Sequence, residues 1–155
     1  MNIMLLDDDR DCLLGLSEVI GPTGFSYDVF DDPEKAVESY KEKRYDLVIS
    51  DMKMPKMNGI QVLKAIRACN EKARIILVSG YSELEMVMEA LNQHAYAFFS
   101  KPVNVGQLLD AVEAVAAEIQ LEQVRLQKQQ DMEQEYRRLQ EQMGQVNERM
   151  GTVAR

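Results

Sequence analysis

Four short apolar runs each end on a residue that phosphoryl chemistry can use. Ile3-Met4-Leu5-Leu6 runs into Asp7-Asp8, and Leu47-Val48-Ile49-Ser50 runs into Asp51. Ile75-Ile76-Leu77-Val78 runs into Ser79, and Tyr96-Ala97-Phe98-Phe99-Ser100 runs into Lys101-Pro102. Asp51 is a candidate nucleophile, since a carboxylate can attack phosphorus to give an aspartyl phosphate. That reaction brings two anions together and needs counter-charge. Asp7, Asp8 and Asp51 form an oxygen donor set suited to Mg²⁺, which keeps several waters and bridges carboxylate to phosphoryl oxygens. Lys101 is a compact cation for a phosphoryl oxygen, and Ser79 offers a hydroxyl donor to another.

The elements that must position these residues follow from the same runs. Strands are expected over about 2–7, 25–30, 46–51, 74–79 and 96–100, as continuous apolar stretches more than alternating ones. That is the mark of strands buried on both faces. The second stretch is the weakest and suits an edge or neighbouring strand. Between the strands lie helical patterns over 9–21, 33–43, 58–69, 83–93 and from 105 onward. Asp32-Pro33 opens one with an N-cap and a proline at the first helical position. Ser82 and Glu85 have capping-box spacing. Gly21-Pro22 and Gly24 punctuate the end of the first helix. The alternation predicts an α/β fold, a doubly wound parallel sheet covered by helices on both faces. In such a sheet every strand ends on the same rim, where ligands bind. Singly, an acidic helix start, a strand-end aspartate and a Lys-Pro turn are ordinary; together and in this order they describe one site.

Composition narrows the function. A formal net charge of −8 over 155 residues argues against nucleic-acid contact, which needs a basic face. No apolar stretch approaches the ~20 residues of a membrane helix, and acidic residues interrupt the N-terminal apolar run where a signal peptide would continue. Cys12 and Cys69 lack metal-ligand spacing and read as reduced thiols. A cytoplasmic protein is expected.

After about residue 117 the grammar changes. Glu, Gln and Arg dominate, and Pro is absent. Met132, Tyr136, Leu139, Met143, Val146 and Met150 are spaced four, three, four, three, four, a heptad seam. An earlier seam, Leu108, Val112, Val115, Ile119 and Leu126, has another register. The two predict one long helix with a stutter-like shift or weak hinge in the apolar-poor stretch 127–131. A lone helix of this kind is expected to pair with a second copy, giving a homodimer. The chain thus divides into 1–117 and a helical coiled-coil extension or linker, 118–155.

With these residues in view, the first part resembles the receiver domain of two-component response regulators. Leu5-Leu6-Asp7-Asp8-Asp9 resembles that family's acidic pair after the first strand. The segment from Tyr45 to Gly59, with Ser50-Asp51-Met52-Lys53-Met54-Pro55 at its centre, resembles the phosphoacceptor segment. Ile76-Leu77-Val78-Ser79-Gly80-Tyr81 resembles the switch strand, and Phe99-Ser100-Lys101-Pro102 resembles the family's Lys-Pro. The resemblance implies a flavodoxin-like sheet of five strands in order 2-1-3-4-5. It implies that Asp51 accepts phosphate from a sensor histidine kinase or phosphotransfer protein. Asp7, Asp8, Asp51 and the backbone carbonyl of Lys53 would hold Mg²⁺, and Ser79 and Lys101 would bind phosphoryl oxygens. Phe98 would stand at the aromatic switch position and turn inward as Ser79 moves. Gly59 and Pro102, the latter after a cis peptide bond, would be structural.

Ser79 stands where Thr is commoner, and Phe98 lacks the hydroxyl of a tyrosine. Lys53 and Tyr81 flank the site where the family varies side chains. His94-Ala95 stands in place of Gly-Ala, so His94 is expected to take a left-handed conformation. No second catalytic or DNA-binding motif follows residue 117. The ending Gly151–Arg155 fits either a fragment with an output domain to follow or a complete small regulator. Two other readings remain. Asp7 and Asp9 have the Asp-x-Asp spacing of aspartyl-nucleophile phosphatases, which leaves the Asp51 segment unexplained. A non-phosphorylated coiled-coil scaffold leaves the complete acidic set unexplained.

Overall fold

A computed structural model describes residues 1–80 and 84–153. Ser82, the cap expected to pair with Glu85, and the flanking Tyr81 lie outside the described residues. The elements run β1 (Asn2–Leu6), α1 (Arg10–Ile20), a 3₁₀ turn (Gly21–Thr23), β2 (Ser26–Phe30), α2 (Pro33–Glu42), β3 (Leu47–Asp51), α3 (Gly59–Cys69), β4 (Ile75–Ser79), α4 (Leu84–Asn92), β5 (Ala97–Ser100) and α5 (Val105–Val153). The five strands are parallel in the order β2-β1-β3-β4-β5. This is the expected order, with the weak second strand at an edge.

The inner strands show why the apolar runs were continuous. Every residue of β3 and β4 is buried, whereas β2 and β5 are mostly half-buried or exposed. Alternate side chains serve opposite faces. Met4, Leu6, Val48, Ile75 and Leu77 pack with Ala36, Val37 and Tyr40 of α2 and Ile60, Leu63 and Ile66 of α3. The other pleats, Ile3, Leu5, Ile49, Ile76 and Val78, are buried too. Each such side chain contributes about 1.5–3 kcal/mol by leaving water, so β1, β3 and β4, which lead to Asp7, Asp51 and Ser79, are the most firmly held part of the sheet.

The helix ends follow local chemistry. Asp32 caps α2 by accepting from the Glu34 N–H at 2.9 Å, with Pro33 at the first position. Asn58 and Gln61 form a reciprocal capping box on α3, whose signal stands in the sequence as Asn-x-x-Gln. His94 has φ of 57°, the left-handed conformation expected where glycine is absent.

The chain divides into two units, Met1–Val115 and Ala116–Arg155. Of the earlier seam, Leu108, Val112 and Val115 are buried in the first unit. The second unit is helical, and its seam residues from Met132 to Met150 are exposed. The one long helix expected is observed: α5 is a single α-helix from Val105 to Val153, running through the stretch 127–131 where the seam changes register. A change of seam register alters which face is apolar, but not the backbone N–H to C=O bonds four residues apart. Within that stretch Gln127 donates to Asp131 at 3.0 Å and Gln129 to Glu133 at 3.4 Å, each one turn along. Among the described residues no helix is long and apolar enough to cross a membrane.

Candidate phosphoacceptor site

Strand register places the chemistry. Leu6 pairs with Ser50, Asp51 with Val78, and Ser79 with Ser100. The residue after each strand end, or the end itself, therefore lies on one rim. Asp7 follows β1, Asp51 closes β3, Ser79 closes β4, and Lys101 follows β5. The Lys101 N–H donates to the Ser79 carbonyl at 2.8 Å, extending the β4–β5 ladder to the site. The Lys101–Pro102 peptide bond is cis.

The carboxylates converge. Asp7, Asp8 and Asp51 each offer an oxygen, and these oxygens lie within 4.8 Å of one another. Asp7 and Asp51 are buried while Asp8 is exposed. The adjacent aspartates reach one site because the chain has already left the strand at Asp7. Asp7 is fixed by its own turn, one oxygen accepting from the Asp9 N–H at 2.9 Å. Asp51 accepts from the Met52 N–H at 3.0 Å.

Lys101 stands between the two buried acids. Its Nζ is 3.0 Å from an Asp7 oxygen and 3.2 Å from an Asp51 oxygen. Burial alone would lower the pKa of this ammonium. The hydrogen bond to Asp7 and the charges of Asp7 and Asp51 outweigh burial and raise it. Asp51 is pushed up to about 6, first by burial and then by the Asp7 charge, with Lys101 opposing. At separations within 4.8 Å, two like charges repel by about 3 kcal/mol or more at an effective dielectric of ~20, which adds to burial in the same direction. Three carboxylates and one ammonium leave a formal surplus of two negative charges. Hard oxygen donors at this spacing, with one face open at Asp8, fit a divalent cation that retains water.

Gly59 is required by contact with the site. A Cβ there would fall 2.7 Å from the Asp51 carbonyl oxygen and 3.0 Å from the Met52 Cα. Its N–H donates to the Met52 carbonyl at 2.8 Å, so the start of α3 is pressed against the end of β3. Lys53 lies two residues past Asp51 with its side chain exposed. Ser79 is buried at the end of β4. Phe98 is half-buried and packs against the core cluster.

Several features escaped the sequence. The Cys12 thiol lies 3.7 Å from Lys101 Nζ, and burial pushes the thiol up first, with the Asp7 charge adding to it. Its place one turn into α1 turns it back toward the rim. Beside the acids opens a cleft of about 320 Å³, whose apolar lining includes Leu16 and Val19 of α1 with Val103, Val105 and Leu108. Asp9 is the N-cap of α1, accepting from the Asp11 N–H. A capping role accounts for it without the Asp-x-Asp chemistry.

Comparison with known proteins bears on the family of the chain. The chain is 33% identical over 110 residues to sporulation initiation phosphotransferase F of Bacillus subtilis, covering 71% of this chain and 89% of that protein. It is 34% identical over 113 residues to the chemotaxis protein CheY of the same organism, covering 71% and 92%. Against YesN, an uncharacterized transcriptional regulatory protein of Bacillus subtilis, the match covers only 34% of the relative. Among solved structures, a CheY-like receiver domain from Methanospirillum hungatei superposes with a TM-score of 0.73 at 26% identity, covering 78% of this chain and 97% of that one. CheY in the CheX–CheY–BeF3–Mg complex from Borrelia burgdorferi gives a TM-score of 0.69 at 31% identity, covering 74% and 88%. The sequence pattern described as response regulator receiver domain matches residues 3–113. The chain belongs to the response regulator receiver domain family of two-component systems.

Proposed function

We propose that Asp51 accepts a phosphoryl group from a phosphohistidine, carried by a sensor histidine kinase or phosphotransfer protein, in the cytoplasm. The observation that carries this is the Lys101 ammonium within 3.2 Å of both buried carboxylates beside the exposed third, Asp8. An Asp51 oxygen attacks phosphorus, the new O–P bond forms, and the N–P bond of the donor breaks with its electron pair returning to the imidazole. Asp7, Asp8, Asp51 and the Lys53 carbonyl would hold Mg²⁺, which supplies counter-charge to the phosphoryl oxygens when bound. Lys101 then leaves Asp51 for a phosphoryl oxygen, a short move for a flexible ammonium that already spans the site. Ser79 donates its hydroxyl to another oxygen, and Phe98 follows it by turning further inward. The apolar cleft between α1 and the start of α5 suits the apolar side of a donor helix. The chain is an acceptor that catalyses its own phosphorylation and dephosphorylation, not an enzyme with a separate substrate.

The signal leaves through α5, which begins four residues after Lys101 and carries the exposed seam. Self-association through that seam, read by a partner or an output domain, completes the proposal. The BeF3–Mg complex of the Borrelia relative supports the choice of beryllofluoride as probe. Incubation with acetyl phosphate and Mg²⁺ should add one phosphoryl group by intact mass, and Asp51→Ala should abolish it. Labelling that persists in the variant removes Asp51 from its role. Light scattering with and without Mg²⁺ and beryllofluoride tests the tail; a monomer under all conditions rejects self-association.

A further inference from the structure

The seam of the second unit determines more than whether it pairs. Its spacing sets Met132, Leu139 and Val146 at heptad position d and Tyr136, Met143 and Met150 at position a. All are well exposed, from 48% at Leu139 to 73% at Met132. The flanking g positions are then Glu135, Gln142 and Arg149, and the e positions Glu133, Gln140 and Asn147.

We infer that this seam binds the same seam of a second copy in antiparallel orientation, centred on residue 141. The inference rests on the self-association proposed above and commits it to one geometry. Three observations carry it. The first is volume. Antiparallel pairing about 141 sets Met132 opposite Met150, Tyr136 opposite Val146, and Leu139 opposite Met143, so the largest side chain meets the smallest. Parallel pairing stacks Tyr136 on Tyr136 and Val146 on Val146.

The second is charge. In the antiparallel arrangement g positions face g positions, which sets Glu135 against Arg149 twice by symmetry, and no like charges meet. Among the described residues Glu135 has an exposed ion pair at 3.9 Å with Arg138 of its own helix, too loose to hold it away from a partner. Parallel pairing offers Lys128 to Glu133 instead.

The third is what lies N-terminal to the seam. The same register continues through Gln129, Arg125, Glu122 and Glu118 at its a and d positions. A parallel pair would carry these into the core, setting Arg125 on Arg125, Glu122 on Glu122 and Glu118 on Glu118. The antiparallel overlap of 132–150 pairs the seam with itself and leaves those residues outside.

Two experiments on the full chain test this, with Cys12→Ser and Cys69→Ser permitting site-specific spin labels. Labels at Glu141→Cys sit level with each other in either orientation. Labels at Gln127→Cys gain about 42 Å of axial offset in the antiparallel pair, at ~1.5 Å per residue, and none in the parallel pair. A distance at 127 far longer than at 141 is expected. Equal distances overturn the orientation while leaving self-association standing, and a monomer by light scattering overturns both. In the second, Glu135→Arg or Arg149→Glu alone should raise the dissociation constant about three- to tenfold, and the double exchange should restore it. Single exchanges without effect, or a double exchange that fails to restore pairing, overturn the register.

Discussion

Replacing Asp51 by asparagine should stabilise the metal-free protein, and the gain should grow as pH rises. Asparagine keeps the size of the side chain and an oxygen for the Met52 N–H but carries no charge. In the wild type the Asp51 carboxyl is raised from its ordinary value near 3.8 to about 6, by burial first and by the Asp7 charge second. A carboxyl with a raised pKa in the folded state binds its proton more tightly there than in the unfolded chain. Its contribution to stability is complete below about pH 4 and is lost as pH climbs through about 6. At ~1.36 kcal/mol per pKa unit, the full loss is about 3 kcal/mol. Of this, about 1 kcal/mol has gone by pH ~4.5 and nearly all by pH ~7.5. The advantage of Asp51→Asn should therefore widen by about 2 kcal/mol between those two pH values. The assay is urea unfolding followed by fluorescence of the buried Tyr40 and Tyr45, in chelator, at both values. Saturating Mg²⁺ at pH ~7.5 should stabilise the wild type more than the variant and shrink the difference. A difference that stays constant within about 0.5 kcal/mol across the range would refute the argument that Asp51 is held among unfavourable charges.

Two further outcomes follow from contacts at the two ends of α3. Gly59→Ala should cost about 1–3 kcal/mol by forcing a methyl against the Asp51 carbonyl and Met52 Cα, and should slow acetyl phosphate labelling because the strand end that yields is the one carrying the acceptor. Arg67 of α3 donates through both terminal nitrogens to the Gln93 and His94 carbonyls at the end of α4, a helix whose only buried residue among those described is Ala90. Arg67→Met should speed hydrogen exchange of the amides of 84–94 by about tenfold or more, in line with charge-assisted bonds of ~1.5–3 kcal/mol. Exchange in β1 and β3 should stay unchanged, and uniform acceleration across the sheet would show that Arg67 is no local clasp.

Much of this protein was legible along the chain. Strands buried on both faces must be nearly all apolar, so Ile3–Leu6, Leu47–Ile49 and Ile75–Val78 stood out without any partner in view. A parallel sheet sends all strand ends to one rim, so Asp7, Asp51, Ser79 and Lys101 were gathered by topology alone. Asp32-Pro33 marked the start of α2 because capping is a contact between neighbours in sequence. The long helix expected through 127–131, with a shift of seam register there, is continuous for a related reason. Seam register reports which side of a helix meets a partner, and the backbone hydrogen bonds that keep α5 continuous are indifferent to it.

What the tertiary structure alone decided lies in contacts between residues far apart in sequence. Lys101 meets Asp7 across 94 positions, and Arg67 reaches the end of α4 across 26 and 27. The need for Gly59 to lack a side chain shows only where α3 presses on the end of β3. The raised carboxyl of Asp51 arises from burial and from the distance to Asp7, neither of which has a local signature. Residue identities thus determined which chemical groups stand on the rim. Their protonation and readiness to react were decided by folding, because charge interactions depend on distance and burial through space.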